Sequence, residues 1–324
     1  MLDGGTGQRM TGAPGGRSTA KSLRHQALLY SGDHDYLRGI RDFVDAGIAA
    51  GQPALIAVPP HRLDLLREAY AASPDVRLVD IGDVGRNPAR ILPGLLFPYL
   101  AEQAGRPARI VSEPIWSGRP VAAYPRCVQH EALTNIALAD EAVSVLCPYE
   151  ATALGADVIA DAASTHPVLI RDGDARSSPG YGRPESVVDA FNRPLPEPTF
   201  PPSTLLFDAA GLSGMRALVA ALAEEAGLKP ERVGELQLAV NEIATNAVTH
   251  SPREPAVLRV WADPDGMVCE VIGSSVLTDR LAGLVPPSPT SDRGRGLFLV
   301  NYLCDLVHVH TDDRSTTVRV HMGW

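Results

Sequence analysis

Three polar side chains, Glu242, Asn246 and His250, recur at four-residue intervals within one uninterrupted stretch of the sequence. Because an α-helix repeats about every 3.6 residues, this spacing places all three on a single helical face. A carboxylate one turn before a carboxamide can hold a general base next to an oxygen ligand for Mg²⁺, an ion that prefers oxygen donors and shares its shell with phosphates. The spacing is therefore compatible with proton transfer beside a magnesium-bound phosphate.

The stretch that carries these side chains, residues 235–251, has the pattern of an amphipathic helix. Its apolar residues recur at three- and four-residue steps, and no Pro or Gly interrupts them. They are Leu236, Val240, Ile243, Ala244 and Ala247. Taken alone, such a helix is explained better by a polar face turned to solvent than by a catalytic role.

A second stretch, residues 292–305, shifts that balance because a Gly-x-Gly sequence opens an apolar run. Gly294 and Gly296 would let the backbone approach a phosphate closely, and the helix predicted from Leu297 would offer its N-terminal amides to the anion. Gly-x-Gly alone is a weak signal. Here, however, a polar-faced helix, a β-hairpin, a Pro-rich loop and the Gly-x-Gly helix follow one another in that order.

That order resembles the GHKL ATPase superfamily, and within it the serine-kinase-like domains of bacterial anti-sigma factors, from Phe207 to the C-terminus. The resemblance implies an α/β sandwich of the GHKL (Bergerat) type that binds ATP with Mg²⁺, and we place this domain at residues 204–324. The resemblance also implies that Glu242 is the catalytic base and that Asn246 is a Mg²⁺ ligand that helps to bind the nucleotide. Gly294, Gly296 and Leu297 match a glycine box around the phosphates.

One part of the family pattern is missing. Family members carry an Asp-x-Gly-x-Gly box at the end of the second hairpin strand, where the Asp binds the amine of adenine; by strand position, Gly273 stands there. The nearest acids, Glu270 and Asp279, lie in the strand or several residues past it. Losing a buried charge-assisted hydrogen bond costs about 2 kcal/mol or more of binding. Two functions therefore remain open: an ATP-dependent anti-sigma serine kinase, and a non-catalytic protein-binding switch with a degraded nucleotide site.

The first half of the chain has a different pattern, in which strands alternate with helices. Such alternation predicts a doubly wound, mostly parallel sheet, whose ligands bind beyond the carboxyl ends of the strands. Polar residues follow three predicted strands, at 59–61, 112–119 and 147–150. The predicted strands are 26–30, 54–58, 76–81, 109–112 and 143–146, and the predicted helices are 35–50, 61–72, 88–104 and 124–138.

Cysteine and histidine side chains in this half raise the question of a metal site. Cys127, His130, Cys147 and His166 could be combined into one, but their spacing matches no zinc pattern, and Cys is commonly a small buried hydrophobe. The sequence therefore favours structural roles for these residues. No nucleophile and base can be paired in this half either.

This half resembles the MEDS sensory domain of bacterial DcmR-type regulators, over residues 21–190. The segments that carry the resemblance are His25–Tyr30, Gly85–Arg90, Ser112–Trp116, His130–Asn135, Cys147–Tyr149 and Thr165–Pro167. The resemblance implies a signal-sensing module, with a small-molecule ligand as one possibility, and it supplies no catalytic residue.

Composition and the remaining segments complete the prediction. A net charge of −9 argues against a nucleic-acid-binding surface, four scattered cysteines suit a reducing cytoplasm, and no apolar run is long enough to span a membrane. Residues 1–20 predict a disordered tail, and the Pro-rich residues 191–203 predict a stiff linker. The family resemblance implies a sigma factor or an anti-sigma factor antagonist as partner, and a homodimer.

Overall fold

A computed structural model describes residues 22–251, 253–287 and 294–323. The predicted tail at 1–20 lies outside these ranges. Among the described residues, no helix combines the length and the apolar character needed to cross a membrane.

The first half forms a seven-stranded sheet, as the alternating pattern predicts. The strands lie in the spatial order β3-β2-β4-β5-β1-β6-β7, and all neighbours are parallel except β6 and β7. They are β1 (Arg24–Tyr30), β2 (Ala54–Val58), β3 (Val76–Asp80), β4 (Ala108–Ser112), β5 (Val143–Glu150), β6 (Val168–Arg171) and β7 (Asp174–Ser177). The fold class of this half is therefore confirmed.

Helices cover both faces of this sheet. They are α1 (Gly32–Ala49), α2 (Pro60–Tyr70), α3 (Ile81–Val84), α4 (Phe97–Glu102), α5 (Tyr124–Ala137), α6 (Ala156–Thr165) and α7 (Pro184–Ala190). One hydrophobic cluster lies around α1 and α2. A larger one lies around α4, α5 and α6, and it includes two residues of the second half, Leu284 and Leu306.

The predicted helix 88–104 is wrong as a single element. The chain instead forms a 3₁₀ turn (Pro88–Arg90), a π-helical turn (Leu92–Leu96) and the short helix α4. Because a proline has no N–H to donate and its ring crowds the preceding turn, the prolines at 88, 93 and 98 break the regular α-helical ladder.

The Gly- and Pro-rich stretch before the second half is more ordered than its composition indicates. It contains β7 and α7, and the residues outside helix and strand are 172–173, 178–183 and 191–202. This last part lies against the outer face of the second sheet. Arg319 donates to the Pro196 carbonyl at 2.8 Å, and Arg259 pairs with Glu197 at 2.6 Å.

The second half is a five-stranded antiparallel sheet with helices on one face. The strand order is β11-β12-β10-β9-β8. The elements are β8 (Ser203–Phe207), α8 (Leu212–Glu225), α9 (Pro230–His250), β9 (Ala256–Asp263), β10 (Gly266–Gly273), α10 (Arg295–Leu303), β11 (Leu306–Thr311) and β12 (Thr316–Gly323). The α/β sandwich expected from the sequence is confirmed, and α9 begins five residues earlier than predicted.

Candidate functional site

Helix α9 presents the polar face that its sequence predicts. The five residues of the apolar stripe are all buried in the core between the helices and the sheet. Glu242 is half-buried, whereas Asn246 and His250 are exposed. The helix thus holds a carboxylate near the core and an amide one turn further toward solvent.

The Gly-x-Gly sequence lies directly against that face. Gly294 precedes α10 with a φ of 84°, a left-handed conformation that favours glycine. Gly296 lies in the first turn of α10, where a Cβ atom would stand 3.0 Å from Glu242 Oε2 and 3.1 Å from Asn246 Nδ2. A side chain at 296 would press on both polar groups, so glycine lets α10 approach them this closely.

These elements enclose an open cleft of about 570 Å³. Its floor and sides come from α9, the end of β10, the start of α10 and β12. The lining residues include Asn246, His250, Gly294, Gly296, Leu297, Val271, Gly273, Ser274, Ser275 and Thr316. Four of the five residues that the sequence assigns to the site line the cleft, and the fifth, Glu242, lies behind them beside Gly296.

The far end of the cleft corrects the alignment of Gly273. A Cβ atom at 273 would lie 2.8 Å from Ala247 Cβ, so this position has no room for a carboxylate. Gly273 fits instead as the first glycine of the Asp-x-Gly pattern, which moves the position of the acid to Val271. Val271 lies on the same face of β10, is buried and lines the cleft. The adenine-binding acid is absent with either alignment.

Neither nearby acid replaces it. Glu270 points to the opposite face of the sheet, where it accepts from Arg319 Nε at 2.8 Å and from Arg259 Nη1 at 3.0 Å. Asp279 accepts from the backbone N–H of Leu281 at 2.9 Å. Both carboxylates are thus engaged away from the Val271 position.

The segment after β10, residues 274–287, forms one wall of the cleft, and we call it the wall segment. It is the described part of the Pro-rich loop that the sequence places between the hairpin and the Gly-x-Gly helix. Its start is fastened to the sheet, because Thr316 Oγ1 donates to the Ser275 carbonyl at 2.7 Å and accepts from the Leu277 N–H at 3.0 Å. Leu277, Ala282 and Gly283 of this segment line the cleft.

The same wall segment is docked on the N-terminal half. Arg280 forms a two-pronged ion pair with Asp189 at the end of α7, with nitrogen–oxygen distances of 2.9 and 3.0 Å. Leu284 is 4% exposed and belongs to the hydrophobic cluster of the N-terminal half. A cavity of about 360 Å³ remains between the wall segment and helices α5 and α7.

Helix α10, which follows the Gly-x-Gly sequence, is held by the N-terminal half as well. Tyr302 donates to the Pro93 carbonyl at 3.1 Å, and the guanidinium of Arg90 stacks over its ring. Asn87 donates to the Asn301 carbonyl at 3.0 Å, and Asn301 in turn donates to the Gly283 carbonyl at 3.0 Å. Two sides of the cleft are therefore connected to the N-terminal half.

A polar cluster lies at the carboxyl ends of β1 and β4 in that half. Tyr36 and Tyr30 donate to the two oxygens of Glu113 at 3.0 and 3.3 Å, and Arg62 bridges Tyr30 and Glu150. Burial raises the pKa of Glu113 to about 8, although both hydroxyls and Arg62 oppose the shift. The sequence identifies the polar residues after β4, which include Glu113. It does not predict that Tyr30 and Tyr36 contact Glu113, because no local pattern relates the elements that carry them.

A second buried cluster lies between the sheet and helices α5 and α6. It consists of His25, Glu131, Cys147 and His166, which we call the buried tetrad, and their potential ligand atoms all lie within 4.8 Å of one another. Burial, together with the nearby His166, lowers the pKa of His25. Sequence reasoning named Cys147 and His166 but combined them with the wrong partners.

Cys127 and His130 are buried elsewhere in that core, outside the tetrad. Glu131 and Asn135 form hydrogen bonds within this core, with the Tyr149 hydroxyl and the Thr165 carbonyl. The sequence does not identify His25 as a member of this cluster, because a single histidine in a strand has no local pattern that marks it as a ligand.

Comparison with known proteins supports the division into two halves. Residues 24–167 match the family model of the MEDS domain (MEthanogen/methylotroph, DcmR Sensory domain), and residues 206–322 match that of the histidine kinase-like ATPase domain. These matches confirm the resemblance of the first half to the MEDS domain and of the second half to a histidine kinase-like ATPase domain. None of the curated proteins matches the chain.

Among solved structures, the chain is similar to the crystal structure of the RsbU and RsbW domains of Rv1364c from Mycobacterium tuberculosis. The sequences are 18% identical, and the TM-score is 0.30. The similarity covers 38% of this chain and 32% of that one, so it spans about a third of the solved structure.

Proposed function

We propose that this chain, which joins a MEDS domain to a histidine kinase-like ATPase domain, is a signal-responsive regulator of the anti-sigma type. In this proposal the C-terminal cleft binds ATP and Mg²⁺, and the N-terminal domain controls access to it. The sequence resemblance supports the anti-sigma assignment. The geometry of the cleft supports nucleotide binding and its control by the N-terminal domain.

The residues at the phosphate end fit the nucleotide and its metal ion. Asn246 is exposed and lines the cleft, and Gly296 brings the first turn of α10 against its carboxamide. Bound Mg²⁺ would neutralise charge on the phosphate oxygens. Glu242, half-buried beside Gly296, is placed to accept the proton of an incoming serine hydroxyl.

The adenine end is the weaker half of the cleft. It offers the hydroxyls of Ser274 and Ser275 and a hydrophobic floor at Val271, with no carboxylate for the exocyclic amine. We therefore expect the phosphates and Mg²⁺ to contribute more to nucleotide affinity than the base does.

One observation carries the regulatory part of the proposal: the wall segment belongs to the cleft and to the domain interface at once. Leu277 and Gly283 face the cleft, while Arg280 and Leu284 of the same segment are bound to the N-terminal domain. A change in the N-terminal domain that releases Arg280 or Leu284 would alter the wall of the nucleotide site. The cavity between the wall segment and helices α5 and α7 is a place where a small molecule could bring about such a change.

Calorimetric titration with Mg²⁺-ATP tests the proposal. Asn246→Ala should weaken binding by at least about tenfold, a loss of about 1.4 kcal/mol, because it removes the metal ligand. Thr249→Ala is the matched control, since Thr249 is exposed one turn further along α9 and does not line the cleft. Absence of binding at millimolar nucleotide, or equal affinities in both variants, would contradict nucleotide binding at this site.

A substitution of Glu242 distinguishes the serine kinase function from the non-catalytic switch. If the domain is a kinase, Glu242→Gln should retain Mg²⁺-ATP binding but lose transfer of the γ-phosphate to a serine of an anti-sigma factor antagonist. Nucleotide binding without any such transfer in the wild type would favour the switch, in which the nucleotide or its absence only selects the sigma factor or antagonist that is bound.

A further inference from the structure

The buried tetrad is assembled from four separate elements of the N-terminal domain. His25 lies on β1, Cys147 on β5, Glu131 on α5, and His166 directly after α6. All four residues are buried. His25 Nε2 lies 3.2 Å from Glu131 Oε2 and 3.3 Å from Cys147 Sγ, and Glu131 Oε2 lies 3.3 Å from Cys147 Sγ and 3.5 Å from His166 Nε2.

The outer contacts of the two imidazoles determine where their protons lie. His166 Nδ1 is 2.8 Å from the Ala162 carbonyl, which can only accept, so Nδ1 carries the proton. His25 Nδ1 is 3.2 Å from Asn135 Oδ1, and the amide nitrogen of Asn135 is already used in donating to the Glu131 and Thr165 carbonyls. His25 therefore also carries its proton on Nδ1.

With both protons on the outside, the lone pairs of both Nε2 atoms point inward. They meet a carboxylate oxygen and a sulfur, so the only hydrogen available at the centre is that of the Cys147 thiol. His166 Nε2 accordingly makes no hydrogen bond within the described part of the chain, although it is fully enclosed. Buried hydrogen-bond acceptors that face one another without donors destabilise the folded state. A cation at their centre would remove this destabilisation.

The distances and atom types suit a tetrahedral transition-metal ion. Zinc bonds to nitrogen, oxygen and sulfur are about 2.0–2.3 Å long, which places neighbouring ligands of a tetrahedron about 3.3–3.8 Å apart. Four of the six separations, from 3.2 to 3.5 Å, lie near the short end of that range, and no two of the four ligand atoms are more than 4.8 Å apart. A thiolate and a carboxylate with two neutral imidazoles carry two negative charges, which one divalent ion neutralises.

The groups around the tetrad are those that hold metal ligands in place. Tyr149 donates to the second oxygen of Glu131 at 3.2 Å, which leaves Oε2 as the inward ligand. The Ala162 carbonyl and Asn135 orient the two imidazoles through their outer nitrogens. Such outer hydrogen bonds fix the tautomer and orientation of a ligating histidine.

We propose that His25, Glu131, Cys147 and His166 bind one zinc ion, which ties strands β1 and β5 to helices α5 and α6. Because all four ligands come from the protein and the site is closed to solvent, the ion has a structural role and no open position for catalysis. The proposal is independent of nucleotide binding in the C-terminal domain.

Metal analysis of the purified full-length chain tests the site. We expect close to one zinc per chain in the wild type, and retention at least about tenfold weaker in Cys147→Ser and His166→Ala. Cys127→Ser is the matched control, because Cys127 is also a buried cysteine of this domain but lies outside the tetrad. Wild-type protein that neither contains nor takes up zinc, or zinc content unchanged in both tetrad variants, would overturn the proposal.

A measurement on the unmutated chain covers the case in which the variants fail to fold. Replacement of zinc by Co²⁺ should give a thiolate-to-cobalt charge-transfer band, and zinc should reach a chromogenic chelator only as the domain unfolds in denaturant. Zinc that the chelator removes from the folded chain without a change in melting temperature, or cobalt protein without a thiolate band, would show that the tetrad is only a hydrogen-bond cluster.

Discussion

Three carboxylates of this chain differ in what surrounds them, and their expected roles differ accordingly. Glu242 is half-buried beside Gly296, which with Asn246 lines a cleft. Glu131 is enclosed by two imidazoles and a thiol, and Glu113 by two tyrosine hydroxyls. The same side chain thus serves as candidate base, metal ligand and buried acid, and neighbours from distant parts of the chain make the difference.

The burial of Glu113 predicts a pH dependence of stability. Its pKa is raised from an ordinary value of 4.5 to about 8 in the folded chain, chiefly by burial, so the folded state binds more protons between these values. The stabilising contribution of Glu113 is therefore complete below its unfolded pKa and is lost as the pH rises through its folded pKa. Urea denaturation from about pH 5 to about pH 8 should show the wild type losing stability relative to Glu113→Gln.

Glu102→Gln serves as the control for that series. Glu102 is exposed, and its hydrogen bond to Arg77 lowers its pKa, so it does not titrate in this window. Free energies of unfolding that run parallel for wild type and Glu113→Gln would contradict the shift.

At the scale of elements, the contact between α9 and β10 determines the shape of the cleft. Gly273 lies so close to Ala247 that strand and helix meet without an intervening side chain. This contact closes the end of the cleft and turns Val271 toward it. The adenine-binding acid is therefore missing because residue 271 is a valine. Residue 273 is a glycine because strand β10 packs directly against helix α9 there.

Adding a side chain at 273 should accordingly destabilise the domain. Gly273→Ala places a Cβ atom 2.8 Å from that of Ala247, and overpacking of this kind costs about 1–3 kcal/mol of unfolding free energy. Gly234→Ala is the control, because Gly234 is exposed on α9 with open space around it and should gain up to about 1 kcal/mol from better helix propensity. Equal stabilities of the two variants in urea denaturation would show that 273 has room to spare.

At the scale of the whole molecule, the two domains meet along the candidate ATP cleft. The wall segment is fixed by Arg280 and Leu284, and α10 by Tyr302 and Asn301. Since these are parts of the candidate ATP site, direct contacts join the N-terminal domain to that site, as the proposed regulation requires. The predicted homodimer and the partner proteins are further levels of assembly that stay predictions.

The ion pair between Arg280 and Asp189 offers a test of this link. Without this ion pair the wall segment is free to move, and nucleotide binding must then order it. Arg280→Ala should therefore weaken Mg²⁺-ATP affinity by up to about fivefold, which corresponds to the interaction free energy of a partly exposed ion pair. Asp189→Ala should do the same, and the double variant should be no weaker than either single one. Additive losses, or an equal loss in Arg176→Ala, whose ion pair with Asp174 on β7 is exposed, would contradict the coupling.

The sequence by itself predicted most of the helices and strands, and it named four residues that line the cleft. The four-residue spacing on α9 and the Gly-x-Gly before α10 are local patterns, and a helix or a tight turn converts them directly into geometry. The alternation of strands and helices likewise predicted the parallel sheet. Elements without a strong period, such as β7 and α7, were missed because composition alone indicated a loop.

Only the tertiary structure decided which side chains meet across the chain. His25 and Cys147 are 122 residues apart, and Asn87 and Asn301 are 214 apart, yet each pair is in contact. Such meetings depend on strand order and domain docking, which no local periodicity encodes. For that reason the buried tetrad and the docked wall segment appeared only in the folded chain, while the polar face of α9 could be read from its spacing.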